Sequence, residues 1–82
     1  MKVLKFEASW CGPCKTLSKI IDGAAGKHSV DIEVVDVDEN PDLAKQYGIR
    51  GVPTMVKLNE GLEVARKVGM VSEADLLQFL ND

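Results

Sequence analysis

Cysteine and histidine are scarce in this 82-residue chain, which holds two of the first and one of the second. A structural zinc site takes four such ligands, so two thiols and the distant His28 leave that class unfilled. Aromatic residues amount to Phe6, Trp10, Tyr47 and Phe79, which makes the expected core aliphatic. A basic excess is missing as well. Ten Lys and Arg against thirteen Asp and Glu leave a net charge of −3, with the cations scattered, and this excludes a nucleic-acid footprint. No stretch approaches transmembrane length. Lys5 and Glu7 interrupt the apolar residues of the opening MKVLKFEAS, so it does not read as a secretory signal. The expected location is the cytoplasm, where a lone close-spaced cysteine pair points to catalysis rather than to a staple. Repeats, linkers and low-complexity tracts are absent, and the length suits a single domain over residues 1–82.

What is present is a 45% apolar chain with clear periodicities. Over residues 2–8, Leu4, Phe6 and Ala8 alternate with Val3, Lys5 and Glu7, which predicts a strand with one face covered and the other partly wet. Residues 11–25 carry a helical stripe at Cys14, Leu17, Ile20, Ile21, Ala24 and Ala25, with Pro13 in the first turn and Gly26 as the stop. The β-branched run 31–38 predicts a second strand, central in the sheet if Val34 and Val35 are both covered. Asn40 is the expected cap of a helix that starts at Pro41 and ends before Gly48, with Leu43, Ala44 and Tyr47 on its apolar face. Strands at 53–58 and 62–68 flank the short loop Asn59-Glu60-Gly61. Ser72, with Asp75 three residues on, opens a last helix whose stripe is Leu76, Leu77, Phe79 and Leu80. The order β-α-β-α-β-β-α predicts an α/β fold: a four-stranded mixed sheet flanked by three helices, with a parallel crossover first and an antiparallel hairpin later.

The two cysteines stand together in Trp10-Cys11-Gly12-Pro13-Cys14, where the first strand gives way to the first helix. A thiolate, not a thiol, attacks a disulfide, so catalysis requires a lowered thiol pKa. Cys11 falls at the helix start, where unpaired amides favour an anion, and is the expected nucleophile. Cys14 lies one turn on and is the expected resolving thiol, which attacks the mixed disulfide and releases the reduced substrate. Gly12 permits close backbone approach, Pro13 stiffens the ring, and Trp10 offers a flat apolar platform. Two cysteines that merely fill space are the plainer alternative, but a C-x-x-C between a strand and a helix in a βαβ pattern favours redox chemistry. Asp36-x-Asp38-x-Asn40 opens like a calcium loop, yet its sixth position is Pro41 and its twelfth Tyr47, so the match fails. Pro53, in Ile49-Arg50-Gly51-Val52-Pro53-Thr54, marks an edge, a bulge or a cis peptide, and read alone is a simple strand start.

Three segments, residues 10–14, Tyr47 to Thr54, and Lys67-Val68-Gly69, together resemble the thioredoxin family in order and spacing, with similarity from about residue 3 onward. The resemblance implies a thioredoxin-like fold and a cis peptide before Pro53, packed against Cys11. It implies a substrate groove lined by Trp10, Gly12, Pro13, Gly51, Val52, Pro53, Gly69 and Met70, in which a client strand lies beside the Val52 backbone. It also implies a monomeric protein-disulfide reductase with no bound cofactor or metal beyond its redox-active disulfide. An NADPH-dependent thioredoxin reductase would re-reduce that disulfide, and clients such as ribonucleotide reductase would consume its electrons.

Two departures from the family bear on mechanism. Ordinary thioredoxins begin with an extra strand and helix, for which there is no room before the strand that starts at Met1, so one sheet face is expected to be thinly covered and stability modest. The family also buries an aspartate under the active site; here Lys5 stands in its place, and Val34 where a lysine partner is usual. The plainer expectation is that Lys5 snorkels to solvent. The sharper one is that a cationic Lys5 modulates the site by lowering the thiol pKa values. A glutaredoxin-like, glutathione-dependent enzyme is the alternative among oxidoreductases, against which Trp10 and Gly12-Pro13 speak. A non-catalytic binding module or subunit is the alternative from another class.

Overall fold

Aliphatic and β-branched residues concentrate in four segments, and these become four strands in the computed structural model, which describes residues 1–82. The order is β1 (Lys2–Glu7), α1 (Gly12–Gly23), a 3-10 turn at Ala25–Lys27, β2 (Asp31–Asp36), α2 (Pro41–Gln46), β3 (Thr54–Asn59), β4 (Leu62–Val68) and α3 (Glu73–Asn81). The sheet order is β2-β1-β3-β4. β1 and β2 run parallel, with Lys5 opposite Val34, while β3 lies antiparallel to both β1 and β4. The β-α-β-α-β-β-α arrangement read from the sequence is the one that forms.

Strand alternation sends side chains to two cores. Val3 and Met55 meet Leu17 and Ala24 from the first helix and its end, and Leu76, Phe79 and Leu80 of α3. On the opposite face Leu4, Phe6, Val35, Val56 and Leu58 pack with Leu43, Ala44 and Tyr47, and the Phe6 and Tyr47 rings stand 5.8 Å apart. Each fully buried aliphatic or aromatic side chain contributes about 1.5–3 kcal/mol of transfer free energy. The two cores clamp β1 and β3, the strands that lead into and face the cysteine turn.

Several expectations are corrected by this geometry. β1 is covered on both faces, because it lies inside the sheet with a helical layer on either side. Lys5 is therefore buried, not snorkelling. The thin coverage falls instead at β2, an edge strand whose Val34 is 57% exposed, so its central placement does not occur. α1 keeps α geometry only to Gly23; the Ala24 amide then reaches both Ile20 and Ile21 carbonyls and the chain tightens into the 3-10 turn before Gly26 is passed. Asn40 takes the N-cap position of α2 as expected, but makes no side-chain capping bond, and its side-chain amide donates to the Asp36 carbonyl at 3.1 Å instead. The hairpin turn has both Glu60 and Gly61 at positive φ, 53° and 82°, the geometry that matches the twist of the paired strands.

Candidate active site

The end of β1 and the start of α1 meet in a tight turn, closed by the Cys11 amide donating to the Ala8 carbonyl at 3.1 Å. Cys11 is the N-cap of α1, and the Cys14 amide donates to its Sγ at 3.1 Å. One orphan donor of the helix start is thus aimed at the sulfur, as the sequence predicts. Pro13, in the first turn, removes an amide that would have had no partner. Cys11 and Cys14 are joined as a disulfide with their Cα atoms 5.3 Å apart.

The turn before β3 closes over the pair from the other side. The Val52–Pro53 peptide is cis, as the resemblance implies, and the Val52 carbonyl lies 3.8 Å from Cys11 Sγ. Thr54 Oγ1 donates to the Gly51 carbonyl at 2.8 Å, which holds this turn to the strand it starts. The Gly69 amide donates to the Pro53 carbonyl at 2.8 Å, with Gly69 at a φ of 86° that a side chain would disfavour. Cys11, Cys14, Val52, Pro53 and Gly69 are therefore one connected unit. Among the expected groove residues, Pro53 is buried. Gly12, Pro13, Gly51 and Met70 are exposed around it.

Both cysteines are buried in the disulfide form, Cys11 being 4% exposed and Cys14 1%. Trp10 stands at the rim, 69% exposed, with its indole N–H donating to Asp38 Oδ2 at 2.9 Å. That contact holds the ring at the rim beside the cysteine turn. Asp38 was invisible as a site residue, because a short acidic run after a strand reads as a solvated turn.

Below the disulfide, the Lys5 ammonium donates to Glu7 Oε1 at 2.5 Å, to the Cys14 carbonyl at 3.1 Å and to Ser18 Oγ. Ser18 escaped the sequence reading, although its position four residues after Cys14 places it on the same helix face. The cluster around the cysteines is otherwise apolar: Ala8 is buried with them, and Val37 and Val52 pack against it.

The chain matches the family model described as Thioredoxin over residues 1–82. It is 40% identical to a thioredoxin of Acidithiobacillus ferridurans over 81 residues, covering 96% of this chain and 75% of that protein. It is also 40% identical to thioredoxin 1 of Synechococcus elongatus over 81 residues, covering 96% of this chain and 76% of the other. Among solved structures, a mutant thioredoxin from Halobacterium salinarum superposes with a TM-score of 0.91 at 38% identity, covering 98% of this chain and 71% of that one. A thioredoxin from Nicotiana alata gives 0.88 at 37% identity, with 98% and 70% covered.

Proposed function

This chain belongs to the thioredoxin family and is a thiol–disulfide oxidoreductase of the protein-disulfide reductase kind, and on that premise we propose the roles of its site residues. Cys11 is the attacking thiol and Cys14 the resolving one. The Cys11 thiolate attacks a client disulfide; a Cys11–client bond forms and the second client sulfur leaves with the electron pair, taking a proton from solvent. Cys14 loses its proton, attacks Cys11 Sγ and closes the Cys11–Cys14 bond, and the remaining client sulfur departs as a thiolate. The client gains two electrons and this protein becomes the disulfide.

The observation that carries this order is the Cys14 amide directed at Cys11 Sγ from the first turn of α1. A helix start favours negative charge on the sulfur that caps it, and Cys14, one turn inside, lacks that position. The client strand is placed beside the Val52 backbone, between the Trp10 platform and the Gly69–Met70 stretch, with Gly12, Pro13 and Gly51 admitting close approach. Gly12-Pro13 between the cysteines supports reduction over oxidation of clients.

Family members exchange electrons with a thioredoxin reductase and with disulfide-containing clients. Within that frame the proposed partners are an NADPH-dependent reductase and clients of the ribonucleotide reductase type, served by a monomer acting as one domain over residues 1–82. No helix is long and apolar enough to cross a membrane, and the proposed location is the cytoplasm. The disulfide is the redox group, and the proposal adds no bound cofactor.

Trapping tests the order of the thiols. With a model disulfide protein such as insulin, Cys14→Ser is expected to accumulate a stable mixed disulfide through Cys11, while Cys11→Ser forms none and reduces nothing. A mixed disulfide that accumulates on Cys14 in Cys11→Ser instead would reverse the assignment.

A further inference from the structure

The deepest polar group under the disulfide is an ammonium. Lys5 is 1% exposed, and its three N–H donors are matched by three acceptors: Glu7 Oε1, Ser18 Oγ and the Cys14 carbonyl. Burying a charge is costly even when it is paired, and a methionine would fill the same slot without that cost. What the ammonium adds, and methionine lacks, is a positive field seated on the backbone of Cys14. In a site walled by Ala8, Val37 and Val52 that field is weakly screened.

The other charges around Cys14 are few. β1 contributes Lys5 and Glu7, and α1 contributes Lys15, which is exposed. The turn after β2 carries Asp38, occupied by Trp10. From β3, Met55 stands opposite Lys5, and Lys57 donates to carbonyls at the end of α3 instead. The local balance is thus set by one buried cation, which donates to the Cys14 carbonyl, against one carboxylate, Glu7, which is partly open to water.

We propose that Lys5 is a positioning residue for the second half of the reaction: its ammonium favours the Cys14 thiolate that expels the client, and Glu7 both holds and tempers it. This rests on Cys14 being the resolving thiol. When Cys14 gives its proton to solvent, the negative charge forms on the residue whose carbonyl the ammonium already holds, and the new Cys11–Cys14 bond then removes that charge as the client sulfur takes the electron pair.

The test is a titration of reduced protein in which the Cβ carbon shift of Cys14 is followed by NMR in wild type, Lys5→Met and Glu7→Gln. Lys5→Met is expected to raise the Cys14 midpoint by about one pH unit, and Glu7→Gln to lower it, with Cys11 moving less in both. One unit means about tenfold less thiolate near neutrality, but the more basic thiolate is the better nucleophile, so release of a preformed mixed disulfide by Lys5→Met slows by roughly three- to fourfold. A cluster that acts only through packing would shift Cys14 the same way in both variants, or in neither, and either result overturns the proposal. Should Lys5→Met fail to fold, Glu7→Gln decides alone: a lowered midpoint supports the field, an unmoved or raised one refutes it. Trapping fails only if the thiol order is wrong, whereas the titration fails only if the ammonium has no hold on Cys14.

Discussion

Lys5 and Lys57 are buried ammoniums on neighbouring strands, and each donates to a helix packed over the sheet. Lys5, on the face shared with Val3 and Glu7, reaches Ser18 and the Cys14 carbonyl of α1 besides Glu7 of its own strand, a depth that strand parity does not give. Lys57 is the same case on β3: its ammonium donates to the Phe79 and Asp82 carbonyls at 2.6 and 2.7 Å, satisfying groups that the end of α3 leaves orphaned. Lys57→Met is expected to cost about 1–3 kcal/mol, read from the urea midpoint, with insulin reduction unchanged per folded molecule. A surface residue gives the contrasting case. Arg66 hydrogen-bonds Glu63 and holds that carboxyl below its ordinary range. A carboxylate lowered in the folded state stabilises above its unfolded pKa and loses that contribution as pH falls through the folded value. Glu63→Gln should therefore cost less than about 1 kcal/mol at neutral pH, since the pair is solvent-screened, and nothing below the carboxylate range; equal losses at pH 7 and pH 2 would contradict it.

Among the elements, helix starts were more legible than helix stops. Ser72, with Asp75 three residues on, reads as a capping box, and its Oγ accepts from the Asp75 amide at 3.1 Å. Ser72→Ala is expected to cost about 1 kcal/mol, measurable as a lowered denaturation midpoint without change in thiol chemistry. Cys11 was equally readable as the start of α1, since Pro13 and the strand before it leave little choice. At α2 the capping residue, Asn40, is legible, but its lack of a side-chain capping bond is not. Asp36 and Asn40 bind each other's stretch of backbone: Asp36 Oδ1 accepts from the Asp38 and Glu39 amides, while Asn40 donates to the Asp36 carbonyl. Such local side-chain to backbone bonds compete with capping, and their winner depends on the turn's geometry rather than on residue type. The stop of α1 was misjudged for a related reason: the chain tightens at Ala24, where no sequence signal stands.

At the scale of the molecule, strand count and direction followed from patterning, but strand position in the sheet did not. Val34 and Val35 read alike in sequence, and only the packing of α2 against one face makes Val35 core and Val34 surface. The cis turn at Pro53 follows only from resemblance, and the pairing of its carbonyl with the Gly69 amide is not legible at all, because neither periodicity nor propensity joins segments that far apart. The whole fold then enters the chemistry through one thermodynamic cycle. The difference in stability between oxidised and reduced protein equals the difference in disulfide free energy between folded and unfolded chains. Closing a ring of so few residues restricts the unfolded chain by about 2 kcal/mol, so the oxidised form is expected to be the more stable by that order when both thiols are protonated. In the proposed mechanism the helix start and the Lys5 ammonium favour the thiolates of the folded reduced form over those of the unfolded chain, where an ordinary thiol titrates at about 8.5. A lowered acid stabilises the reduced form fully above its unfolded pKa and not at all below its folded one. The gap between the two forms should therefore be widest in mild acid and narrow steadily as pH rises towards 8.5. Urea unfolding of each form at several pH values reads it directly, and a gap that stays constant or widens with pH would mean that the fold gives the thiolates no stabilisation.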